Sequence, residues 1–124
     1  MGSKASNLGV TWEFVADLAR TLPDSEEGLS YGTPAFFRRR RLFVRLHQDG
    51  VSIVVNQGID ARSEWMAHDP ESFFITDHYE RYPYMLIRMA TVGKSDLKIL
   101  LEESWHMAGT PTLRPRSGRR LPKP

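Results

Sequence analysis

The sequence predicts an α+β fold, a two-layer sandwich with an antiparallel sheet of about five strands in the order α-β-β-β-α-β-β-α. Three observations predict it. Apolar residues recur at three- and four-residue steps near both ends of residues 11–108, and at two-residue steps in between. An Asp49-Gly50 dipeptide separates two of the alternating runs. Finally, 124 residues are enough for one hydrophobic core but not for two.

Residues 1–10 are small and polar and are expected to be flexible. Thr11 can cap the first helix, whose apolar stripe is Trp12, Val15, Leu18, Ala19 and Leu22, and Pro23 ends it. The acidic stretch Asp24 to Glu27 reads as a connection into Gly28. Strands are expected over Ala35 to Arg38, Arg41 to His47 and Val51 to Val55, which are rich in β-branched and aromatic residues. Asp49-Gly50 suits a two-residue type I′ turn, which places Leu46 opposite Ile53 and Val44 opposite Val55. A second tight turn at Arg39-Arg40 places Phe37 opposite Leu42, Ala35 opposite Val44 and Phe36 opposite Phe43. A short helix is expected from Ala61 to His68, capped by Asp60, with Trp65 and Met66 turned inward. Two more strands follow, Phe73 to Thr76 and Tyr84 to Ala90. The last helix starts near Ser95 or Asp96 and closes at Gly109 and Pro111.

Charge is unevenly distributed. The chain carries 17 Lys and Arg against 15 Asp and Glu. Arg114, Arg116, Arg119, Arg120 and Lys123 fall in residues 109–124, a Pro/Arg-rich segment with no acid that is expected to be disordered. Without those five, the domain expected over residues 11–108 and its leader are mildly acidic, which excludes a uniformly basic surface. The absence of Cys excludes a disulfide framework, a Cys-ligated zinc and a thiol nucleophile. No run approaches the roughly 18 apolar residues that span a bilayer. The first ten residues lack the apolar centre of a signal peptide, and their match to a myristoylation pattern at Gly2 and Ser6 is of a kind that chance supplies. A soluble, cytoplasmic protein with no membrane partner is expected.

Enzyme templates are missing: there is no P-loop, G-x-G-x-x-G, G-x-S-x-G or H-E-x-x-H. His47, His68, His78 and His106 have no metal-ligand spacing, so no catalytic residue, metal or cofactor is expected. The strongest local feature is Arg38, Arg39, Arg40 and Arg41 beside Phe36 and Phe43. In the hairpin register above, Arg45 and His47 join them on one sheet face. Aromatic rings among guanidinium groups can stack bases and neutralise phosphates. The plainer alternative is a solvated hairpin tip whose charge blocks edge aggregation, or a docking site for an anionic protein. The basic tail adds sequence-independent attraction to phosphate. Tyr31, Tyr79, Tyr82, Tyr84 and Trp105 fit core packing with rim hydroxyls, or an amphipathic pocket for a small ligand near Tyr31, His47 or His78.

Five segments carry a family resemblance: SYGTPAF at Ser30 to Phe36, RRLFVRLHQDG at Arg40 to Gly50, DPESFFITDHY at Asp69 to Tyr79, YPYMLIRM at Tyr82 to Met89, and LLEESW at Leu100 to Trp105. In this order they resemble the MmcQ/YjbR family of small bacterial proteins over roughly residues 11–108. The resemblance implies a cytoplasmic bacterial protein with a compact α+β fold, CyaY-like or secretion-chaperone-like, of double-wing character. That family is commonly labelled DNA-binding and brings no catalytic residues. Its members carry Gly-Lys at the first hairpin turn, where this chain has Arg40-Arg41. Nucleic acid, DNA above all, is thus the expected partner. The alternative is a non-catalytic protein-interaction module, including a homodimer through an exposed sheet face.

Overall fold

The computed structural model describes residues 8–110. The expectations for residues 1–7 and for the tail, with Arg114, Arg116, Arg119 and Arg120, lie outside the described residues. Leu8, Gly9 and Val10 pair with the segment before the last helix. Leu8 bridges Gly93, the Gly9 amide donates to Val92 O at 2.8 Å, and the Val10 amide donates to Met89 O at 2.7 Å.

Helix α1 (Trp12–Thr21) begins where Thr11 Oγ1 accepts the Phe14 amide at 3.1 Å, the capping bond that the sequence predicts. Four strands follow: β1 (Ser25–Ser30), β2 (Thr33–Arg38), β3 (Arg41–Leu46) and β4 (Ser52–Asn56). Helix α2 (Ile59–His68), β5 (Phe73–Phe74), a 3₁₀ turn at Asp77–Tyr79, β6 (Tyr84–Arg88) and helix α3 (Lys94–Gly109) complete the order. The strands form one antiparallel sheet, β1-β2-β3-β4-β6-β5. The fold class is α+β, as the sequence predicts, with one strand more than expected.

The additional strand is β1, read from sequence as an acidic connection. Its residues, SEEGLS, alternate too weakly to signal a strand, because it lies at the sheet edge and pairs only with β2. β5 is shorter than expected, since Ile75 and Thr76 leave the ladder to enter the 3₁₀ turn. Helix α2 takes Gly58 rather than Asp60 as its N-cap, and α3 takes Gly93.

The Asp49-Gly50 turn differs from expectation, while the turn at Arg39-Arg40 is the tight one expected. Leu46 does face Ile53 and Val44 faces Val55. However, only Gly50 has a positive φ, and the Gly50 amide donates to His47 O at 2.9 Å. Asp49 instead uses Oδ1 to accept the Val51 and Ser52 amides, each at 2.9 Å, so a carboxylate holds the longer loop. At the other turn Arg39 and Arg40 have φ of 53° and 69°, the left-handed pair of a type I′ turn, although arginine disfavours that region.

A register shift corrects the predicted faces. Arg38 pairs with Arg41 and Phe37 with Leu42, as expected, but the ladder then shifts between Phe36 and Phe37, so that Phe36 faces Val44 and Ala35 faces Arg45. Phe43 becomes the extra residue of a β-bulge. Both Phe36 and Phe43 consequently lie in the main core, 1% and 0% exposed, with ring centroids 6.4 Å apart.

All three helices contribute to that core, packing Val15, Ala19, Leu97, Leu100 and Leu101, with partly buried Trp65 and Met66, on Val44, Ile53, Val55, Met85 and Ile87. A smaller cluster, Val54, Tyr79 and Leu86 with Phe74, Ile75, Tyr82 and Tyr84, forms separately from it. Two side chains join the layers. Buried Ser104 of α3 donates to Phe43 O at 2.6 Å and accepts the Asn56 amide at 2.9 Å, a hydroxyl inserted where the β3–β4 ladder stops. Buried Arg62 of α2 donates to four carbonyls: Tyr79 O at 2.9 Å, Glu80 O at 2.7 Å, Tyr84 O at 2.8 Å and Tyr82 O. Burial lowers the Arg62 pKa from its ordinary value, against the opposing pull of Glu80.

Candidate functional site

The predicted aromatic–arginine face does not form as one surface. With Phe36 and Phe43 in the core, neither ring is available to stack a base. The arginines divide into three settings. Arg38 lies flat against Trp105, its Cζ 3.7 Å from the ring centroid, and donates to Trp105 O at 3.1 Å. Asp24 lies 4.0 Å away. Glu27 pairs with Arg20 at 3.1 Å rather than with the hairpin. A Cβ on Gly109 would displace the Arg38 guanidinium from its present place.

Arg39, Arg40 and Arg41 are exposed at the hairpin tip. Arg41 donates to Thr110 O at 2.7 Å and Arg39 to Gly109 O at 3.5 Å. These guanidinium groups thus meet the carbonyl end of α3, where the helix dipole favours positive charge. Arg40 has no hydrogen-bond or ion-pair partner among the described residues. The described chain ends at Thr110, against this same tip.

Arg45 is the third setting, and the one that sequence reasoning misplaced. The bulge puts it opposite Ala35, the unshifted β3–β4 ladder puts it opposite Val54, and it is 2% exposed. Its Nη2 donates to Tyr79 Oη at 2.8 Å, while its bonds to Thr33 Oγ1, Leu46 O and Gln48 Oε1 run from 3.3 to 3.5 Å. Its Nε has no partner, and its Cζ lies 5.1 Å from the Tyr31 ring centroid.

Arg45 and Tyr79 line a cleft of about 350 Å³ together with Tyr31, His47 and His78. Gln48 and Thr76 complete its lining, which includes no carboxylate. The His78 and Tyr79 rings meet edge to face, 4.8 Å between centroids, and His47 stands 6.5 Å from Tyr79. Burial, followed by the neighbouring Tyr79 and Tyr31, raises the Tyr84 phenol above its ordinary value. At the turn, desolvation pushes the Asp49 carboxyl up, but the Val51 and Ser52 amides, with a smaller pull from His47, outweigh it and hold that carboxyl low. Tyr31, His47 and His78 were recognisable in the sequence as a set. Arg45 shares the face of His47 by the strand alternation that the sequence predicts; what the sequence did not reveal was its burial against Tyr79 Oη.

Among the described residues no group of three His, Asp or Glu side chains could hold a metal ion, and no helix is long and apolar enough to cross a membrane. No family model matches the chain. Uncharacterized proteins of Mycobacterium tuberculosis and Mycobacterium bovis are 31% identical over 64 residues, 52% of this chain. The match spans only 42% of the length of those relatives. The crystal structure of Deinococcus radiodurans protein DR2400, a DUF419 domain, superposes with a TM-score of 0.67 at 19% identity, covering 78% of this chain and 77% of that one. This likeness shows the fold: a small α+β domain.

Proposed function

We propose that this chain is a non-catalytic, cytoplasmic nucleic-acid-binding protein of the MmcQ/YjbR type that holds the phosphate backbone without reading bases. The observation that carries the reading is the hairpin tip. Arg39, Arg40 and Arg41 all face solvent there, and two of them occupy left-handed backbone that costs roughly 1–2 kcal/mol per residue. An Asn-Gly turn would relieve that strain, so the guanidinium groups sit here against a local backbone preference. Thr110 abuts the tip, and the sequence that follows contains Arg114, Arg116, Arg119 and Arg120. Cations with no aromatic platform recognise charge density, so affinity is expected to be independent of sequence and strongly dependent on salt. The family assignment draws support from the order of the five motifs and from the fold shared with a DUF419 domain.

The test is fluorescence anisotropy with unrelated DNA duplexes across a salt series. Arg39→Glu with Arg40→Glu is expected to weaken all duplexes alike and to lower the slope of log affinity against log salt by about 0.9 per lost phosphate contact. Replacing the four tail arginines by Gln is expected to lower it further. Unchanged binding in the hairpin variant rejects the assignment. A second reading, pairing with another protein or a second copy, draws support from edge strand β1, whose Leu29 is 70% exposed. Sedimentation that reveals a dimer lost on Leu29→Lys favours that reading.

A further inference from the structure

We infer that the cleft on the sheet is a separate binding site for a small organic anion with a flat, ring-bearing body. The starting point is the charge of Arg45. A guanidinium stays protonated in proteins, and one that is 2% exposed needs either a carboxylate or a full set of short hydrogen bonds. Arg45 has neither. Only its bond to Tyr79 Oη, at 2.8 Å, is short, its Nε is unpartnered, and among the described residues no Asp or Glu lies within ion-pair distance of it. The nearby Asp49 is engaged by the Val51 and Ser52 amides and lies 3.4 Å from His47.

The lining specifies the rest of the ligand. Tyr31, His47, His78 and Tyr79 present four rings, the arrangement that holds a flat body by edge and face contacts. Imidazole and amide groups from His47, His78 and Gln48 offer further donors to an oxyanion. A volume of about 350 Å³ lies at the small end of the roughly 300–1,000 Å³ range of ligand sites, which restricts the occupant to a small molecule. An oxyanion supplies the countercharge that Arg45 lacks, and the ring occupies the space between the aromatic walls. The site shares no side chain with the hairpin tip, so it stands whether or not nucleic acid binds there.

The test uses the whole chain and four probes, read by chemical-shift changes of the His and Tyr rings. Benzoate and phenyl phosphate carry a ring and an anion, benzyl alcohol carries only the ring, and inorganic phosphate only the anion. Both ring-bearing anions are expected to bind at least about tenfold more tightly than benzyl alcohol, and more tightly than inorganic phosphate. Which of the two is tighter identifies the anion as carboxylate or phosphate ester. Arg45→Met, which takes the charge out of the interior while keeping the stem, is expected to lose that preference and leave benzyl alcohol unaffected. Tyr31→Ala, at a rim position 57% exposed, is expected to weaken both anions several-fold without changing Tm. No anion binding, equal binding of benzyl alcohol and the anions, or full anion affinity in the Arg45→Met protein overturns the inference. If Arg45→Met does not fold, unchanged affinity in Tyr31→Ala overturns it instead.

Discussion

Asp49 shows how one carboxylate can organise a turn. Its Oδ1 accepts two amides, and those bonds, with His47 nearby, hold the carboxyl below its ordinary value in spite of partial desolvation. A folded-state pKa lower than the unfolded one contributes stability above the unfolded value, and that stability is lost as pH falls through the folded value. Asp49→Asn keeps an oxygen acceptor for both amides but removes the titration. Chemical denaturation across pH is therefore expected to find the wild type ahead at neutral pH, with the two proteins converging in acid. A gap that persists unchanged in acid contradicts this account.

At the scale of the hairpin, Arg39 and Arg40 combine two demands. The I′ geometry fixes positive φ at both positions, and arginine meets it only under strain. Arg40→Gly is expected to raise stability by about 1 kcal/mol in urea titration while weakening DNA binding, because it relieves the backbone and removes an exposed cation. A variant less stable than the wild type argues that Arg40 makes a structural contact. This turn was legible in the sequence as a tight one, and its first two pairs, Arg38 with Arg41 and Phe37 with Leu42, follow from it. The bulge one step further on was not. Phe43 is simply one more apolar residue in an apolar run, and only the depth of the helix-side core decides that both phenylalanines point inward. Strand β1 escaped for the opposite reason: an edge strand buries too little to imprint a pattern on its sequence.

Across the whole molecule, the helical layer is tied to the sheet by Ser104 as well as by apolar contact. Its hydroxyl serves Phe43 O and the Asn56 amide, neither of which pairs with the other strand at that point. Ser104→Ala leaves a buried carbonyl and a part-buried amide unserved and is expected to lower stability by about 2 kcal/mol, read from the denaturation midpoint. A loss below a few tenths shows that the ladder re-forms without the hydroxyl. The sequence foretold the periodicities, the three helices and the α+β class, because these follow from which side of each element is apolar. The candidate cleft was only half legible. Its rings and its cation stand out as residue types, whereas the burial of that cation rests on a contact with Tyr79, far away in the chain.

Arg62 has a further consequence for that cleft. Four carbonyls between Tyr79 and Tyr84 converge on this one guanidinium. The segment therefore has a common fastening, and hydrogen exchange is expected to find the amides of Tyr79 to Tyr84 opening with one shared free energy, whereas a graded series of values contradicts a single release.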